Sequence, residues 1–89
     1  MIQKSVFKTS GKDSDYFFTY DLGCAAALVS LCYKINTLNR DNPKKIKFIF
    51  DSSNEIRLAA EKYWEDKLTV AARTYFNNIK MLKNRVFSE

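Results

Sequence analysis

The stretch Asp21-Leu22-Gly23-Cys24-Ala25-Ala26-Ala27-Leu28-Val29-Ser30-Leu31 decides the fold. Asp21 is a good helix N-cap, because its carboxylate can accept from the orphan N–H groups of the first turn. The residues that follow are apolar nearly all the way round, so this helix has no solvent face and must be covered on every side. Its glycine and alanines let other elements approach closely. The apolar run continues only to Tyr33, short of the roughly 20 residues that cross a bilayer, so it reads as a core helix.

The flanking segments supply the cover. Ser5–Thr9 reads as a short strand, Gly11–Asp15 as a turn-rich break, and Tyr16–Tyr20 as a strand whose rings must populate both sheet faces. Downstream, Tyr33–Leu38 alternates, with Tyr33, Ile35 and Thr37 on one side. After the polar loop Asn39–Lys45, the run Ile46-Lys47-Phe48-Ile49-Phe50 puts Ile46, Phe48 and Phe50 on one face. Two strands around a short Pro-containing loop predict an antiparallel pair. Ser52 with Glu55 fits a capping box for a helix to about Glu65, with Ile56, Ala59, Ala60 and Tyr63 inward and Trp64 packed at its end. Thr69 caps a last helix to about Phe87, with Ala72, Tyr75, Ile79, Leu82 and Val86 as its apolar stripe. The expected fold class is α+β: a small antiparallel sheet covered by helices, in the order strand(s)–helix–strand–strand–helix–helix, as one domain over 1–89.

Composition agrees with a small packed domain. The 89 residues are 46% hydrophobic, 15% aromatic and 28% charged, with two glycines and one proline, which excludes collagen-like and disordered chains. There is no histidine, so the commonest general base and metal ligand are both missing. Cys24 and Cys32 lack zinc-ligand spacing and, eight residues apart on a helix, sit about 12 Å apart along its axis, too far for a disulfide. No cofactor and no metal is expected. Without a signal-peptide h-region or a spanning segment, the expected location is cytoplasmic, with reduced thiols and no membrane contact. A loose echo of a nuclease arrangement, Asp51 with Glu65-Asp66-Lys67, falls at a helix junction rather than beside a strand, so a non-enzymatic role is expected.

The net charge of +5 is concentrated at the C-terminal end, where Lys67, Arg73, Lys80, Lys83 and Arg85 face only Glu89. Arg73, Asn77, Lys80 and Asn84 recur at i, i+4, i+7 and i+11 on the helix face opposite the apolar stripe, with Lys83 adjacent. Arginine and lysine neutralise phosphates, and asparagine can donate to a phosphate or read an adenine edge. Arg40, Lys44 and Lys45 form a second basic cluster on the strand–strand loop. The leading functional expectation is nucleic-acid binding by these eight residues. The alternative is a protein-interaction module, such as a phage or mobile-element regulator or inhibitor, docking on a protein or nucleoprotein. Convergence of the cations on one face would favour nucleic acid; scatter would favour the module. A homodimer is compatible with so short and apolar a chain.

Four blocks carry a resemblance. They are Phe18-Thr19-Tyr20-Asp21-Leu22-Gly23-Cys24-Ala25-Ala26-Ala27-Leu28; Asn42-Pro43-Lys44-Lys45 before Phe48-Ile49-Phe50; Tyr63-Trp64; and Arg73 through Arg85. Together they resemble a small family of unknown function, made of short proteins or domains from bacteria, candidate phyla and their phages. The resemblance spans Tyr16 to Ser88. It implies a stand-alone domain and a mobile-element setting, and brings no activity with it.

Overall fold

The computed structural model describes residues 15–88. The expected strand at Ser5–Thr9 lies outside them. Within them the order is β1 (Tyr16–Thr19), α1 (Leu22–Ser30), β2 (Ile35–Asn39), β3 (Lys47–Asp51), α2 (Asn54–Trp64) and α3 (Ala72–Ser88). The α+β class and the element order follow the sequence reading.

The sheet is antiparallel, with β3 in the middle and the order β1-β3-β2. Phe17 stands opposite Phe50 and Thr19 opposite Phe48 on the face turned to the helices. Phe48 and Phe50 are buried there, with Phe17, Ile35 and Leu38 packed around them. The strict alternation expected for β2 is broken by a bulge between Ile35 and Thr37. One extra residue shifts the side-chain phase. Ile35 and Leu38 therefore both reach the core, and Thr37, expected beside Ile35, faces out with Asn36.

Helix α1 is the hub. Cys24 through Leu28 are all buried, and both α2 and α3 pack on it. Its first turn is satisfied by the Asp21 carboxylate, which accepts from the Cys24 N–H at 2.7 Å. The same Oδ2 accepts from the Tyr63 hydroxyl of α2 at 3.2 Å, and the Tyr75 hydroxyl of α3 donates to the Gly23 carbonyl at 3.3 Å. A Cβ at Gly23 would collide with the Tyr63 hydroxyl, so this position needs glycine for close approach. Further along, the Asn78 amide of α3 donates to Ser30 Oγ at 3.0 Å.

Both α1 and α2 end in Schellman motifs. Tyr33 N–H donates to Leu28 at 3.1 Å and Cys32 N–H to Val29 at 2.9 Å; Lys67 N–H donates to Lys62 at 2.8 Å and Asp66 N–H to Tyr63 at 3.1 Å. The left-handed position, usually glycine, is held by Cys32 (φ 76°) and Asp66 (φ 62°).

Four local expectations are corrected. Ser53, not Ser52, caps α2, its hydroxyl accepting from Ile56 N–H at 3.1 Å. Ser52 instead continues the β1–β3 pairing by one residue, its N–H donating to the Asp15 carbonyl at 2.9 Å. Helix α3 begins at Ala72 rather than after Thr69, because the intervening chain alternates and turns Leu68 and Val70 inward. Ala72, at the very start of α3, is exposed rather than part of its buried stripe. Trp64, expected to pack, is 63% exposed and meets Tyr63 edge-on at 5.0 Å between ring centroids.

Two substitutions test this packing by urea denaturation. Cys32→Gly relieves a left-handed non-glycine residue and is expected to stabilise by about 1 kcal/mol. Gly23→Ala forces apart the contact of α1 with Tyr63 and is expected to cost about 1–3 kcal/mol.

Candidate nucleic-acid interface

Helix α3 carries four cations and no acid over its 17 residues. Tyr75, Ile79 and Val86 lie half-buried and Leu82 fully buried on its inner side. The helical period therefore turns Arg73, Asn77, Lys80, Lys83 and Asn84 outward, and all five are exposed. The exposed Phe76 ring lies among them, with Lys80 Nζ 5.1 Å from its centroid.

The loop cations divide. Arg40 is half-buried and turned toward the end of α3: Nη1 donates to the Val86 carbonyl at 2.9 Å and Nη2 to the Arg85 carbonyl at 2.7 Å. A guanidinium on the last carbonyls satisfies orphan acceptors and the negative end of the helix dipole. Lys44 and Lys45 are exposed in a turn closed by Lys45 N–H on the Asn42 carbonyl at 3.0 Å. Lys45 Nζ reaches over the Tyr20 ring at 5.3 Å, on the sheet side of the molecule. The eight candidates thus split into a set of five on the outer face of α3, an exposed pair at the β2–β3 turn, and Arg40 bound to the end of α3.

The sheet face turned away from the helices carries residues outside the sequence-based set. Tyr16, Phe18 and Tyr20 project there and are 53%, 50% and 48% exposed. Ile49 lies opposite Phe18 and Asp51 opposite Tyr16. Lys47 Nζ stands 4.5 Å from the Phe18 centroid and 5.8 Å from that of Tyr20. Phe18 and Tyr20 meet edge to face at 5.7 Å. Asp51 occupies the end away from Lys47 and accepts from the Asn36 amide at 2.7 Å. The period-two pattern of both strands marked this face, and rings on both faces of the sheet were expected, but Tyr16, Phe18 and Tyr20 were not among the expected binding residues.

A cleft of about 410 Å³ lies between α1 and the α2–α3 connection, lined by Tyr63, Trp64, Leu68, Val70 and Tyr75 among others. Burial pushes the Tyr63 phenol well above its ordinary value, helped by its hydrogen bond with Tyr75 and the Asp21 charge. It therefore stays a donor to Asp21. Burial likewise pushes the Cys24 thiol up to about 12, with Asp21 adding to the shift and a hydrogen bond with the Thr19 side chain opposing it. Asp51 and Glu65 stand at opposite ends of α2, some 16 Å of helix apart, so the nuclease-like residues do not converge. Among the described residues no group of three or more His, Cys, Asp or Glu is placed to hold a metal, and no helix is long and apolar enough to cross a membrane.

These shifts have a pH consequence. Above the ordinary thiol value of 9.0 the unfolded chain releases the Cys24 proton that the folded chain keeps up to about 12. Stability is expected to fall with rising pH across that window, and Cys24→Ala to flatten the fall in a urea-melt series. In the native protein only the exposed Cys32 is expected to react promptly with a thiol reagent; denaturation releases the second.

No curated protein and no solved structure matches the chain. A family model, described as "Domain of unknown function (DUF5659)", matches residues 14–88 and so takes in every element of the fold. The chain belongs to this family of unknown function, DUF5659.

Proposed function

We propose that this is a small non-enzymatic nucleic-acid-binding domain whose α3 grips the phosphate backbone. The observation that carries the reading is the exposed face of α3, where Arg73, Lys80 and Lys83 stand with Asn77 and Asn84 and no carboxylate interrupts them. A solvated helix face normally interleaves both signs; an unopposed cationic face is the footprint of a polyanion. Lys44 and Lys45 supply a separate basic tip, and Arg40 serves by holding the end of α3. The reading places the domain in the cytoplasm, where its thiols stay reduced.

A protein-interaction module, of the kind a phage or mobile element uses to regulate or inhibit a partner, is the second reading. It is favoured by the split of the cations between the α3 face and the β2–β3 turn, and by exposed apolar groups such as Trp64, Leu58 and Phe87.

Three phosphate contacts on α3 give an expected log–log salt slope of about −3 for duplex DNA. Lys80→Ala should weaken binding about equally across sequences and flatten the slope by about 1. Fluorescence anisotropy across a salt series measures both. Binding that is unchanged in the Arg73, Lys80, Lys83 triple alanine variant removes α3 from the interface. Retention of a stoichiometric protein partner after nuclease treatment, with no binding to purified nucleic acid, supports the module instead.

A further inference from the structure

We infer that the outer sheet face is a platform for unpaired bases, which makes single-stranded nucleic acid the preferred ligand class. The inference rests on the nucleic-acid reading above for its ligand and on separate residues for its geometry.

An antiparallel sheet that leaves one face to water normally makes that face polar. This one carries Tyr16 and Phe18 on β1 and Tyr20 just past its end, each about half exposed, with Ile49 beside Phe18. β1 is hydrogen-bonded to β3, and Phe17, on the opposite face, packs 6.4 Å from Phe50. The strand that carries Tyr16 and Phe18 is thus held in place before a partner arrives, which lowers the ordering cost of binding.

Charge selects the partner. Lys45 and Lys47 stand over the faces of Tyr20 and Phe18 at 5.3 and 4.5 Å. Each of these ring faces is therefore held by an ammonium group, which a stacking base displaces and its phosphate then meets. The acid of this face, Asp51, lies at the other end beside Tyr16 and is engaged by Asn36. Rings with adjacent lysines and the acid set apart complement a polyanion that carries aromatic groups.

Spacing selects the strandedness. Phe18 and Tyr20 meet edge to face at 5.7 Å between centroids, so they cannot offer parallel faces to two bases stacked on each other at the roughly 3.4 Å rise of a nucleic-acid strand. Bases that meet successive rings must be drawn out of their own stack, which a duplex resists and a single strand permits. Stacking on rings is indifferent to base identity, so weak sequence preference is expected.

The test uses the full chain and oligothymidylate and oligouridylate of about 10 nucleotides, within the range single-strand platforms occupy. Anisotropy should show binding of both, with Phe18→Ala and Tyr20→Ala each weakening it about 5- to 100-fold. Phe18→Leu, which keeps an apolar side chain and removes the flat ring, should weaken it in the same direction with an unchanged circular dichroism spectrum. Lys47→Gln should flatten the salt slope by about 0.7, the single-strand value per phosphate. If Phe18→Leu and Tyr20→Ala bind as the wild type does while the α3 triple variant loses binding, the platform is wrong and the α3 reading stands. If no nucleic acid binds the wild type at low salt, both fall. If Phe18→Ala instead splits a dimer without changing oligonucleotide affinity, the face belongs to a second copy of the chain and the inference is overturned.

Discussion

Everything in this fold follows from the need to bury α1 on all sides. A helix whose Cys24–Leu28 segment is wholly inaccessible offers water nothing to solvate, so the sheet, α2 and α3 must surround it. The close fit is anchored at its first turn, where Asp21 and the Gly23 carbonyl receive the hydroxyls of Tyr63 and Tyr75. Those two bonds fix α2 and α3 on the same helix end, and the missing Cβ of Gly23 makes room for them. Burial of the hydroxyls without such partners would cost about 1–3 kcal/mol each, so the knot gives specificity as well as cohesion.

The same constraint creates the surfaces available for binding. Because α2 and α3 are committed to α1, they leave the far side of the sheet uncovered among the described residues, with the rings of Tyr16, Phe18 and Tyr20 on it. Because α3 turns Leu82 and Ile79 inward, its cations are driven outward in a row. The register of one strand and the phase of one helix thus decide which residues can meet a partner. Arg40 shows the converse: a cation in a polar loop, drawn instead to the carbonyls at the end of α3 by geometry that spans 46 residues of sequence.

Much of this was legible in the residues. The all-round apolar α1, the Asp21 cap, the Phe48/Phe50 face and the outward stripe of α3 are set by local periodicity, which a sequence displays directly. What escaped depends on distant contacts. The β2 bulge that brings Leu38 inward reflects pairing with β3, and the move of the α2 cap to Ser53 reflects the bond from Ser52 to Asp15. The extended lead into α3 reflects Leu68, which packs on the core, and Val70, which lines the cleft beside Trp64. Rings on both faces were expected from alternation, since Phe17 and Phe18 cannot share a face; which of them lie outward depends on the pairing with β3. The role of Arg40 had no local signal.

The most direct test of the account is a backbone amide chemical-shift titration of the ¹⁵N-labelled full chain with an unstructured oligonucleotide at low salt. The account requires perturbations that cluster on β1 and β3 around Phe18, Tyr20 and Lys47 and on the outer face of α3 around Arg73, Lys80 and Lys83, with the buried residues of α1 unmoved. Perturbations confined to the cleft beside Trp64, or none at saturating oligonucleotide, would contradict it.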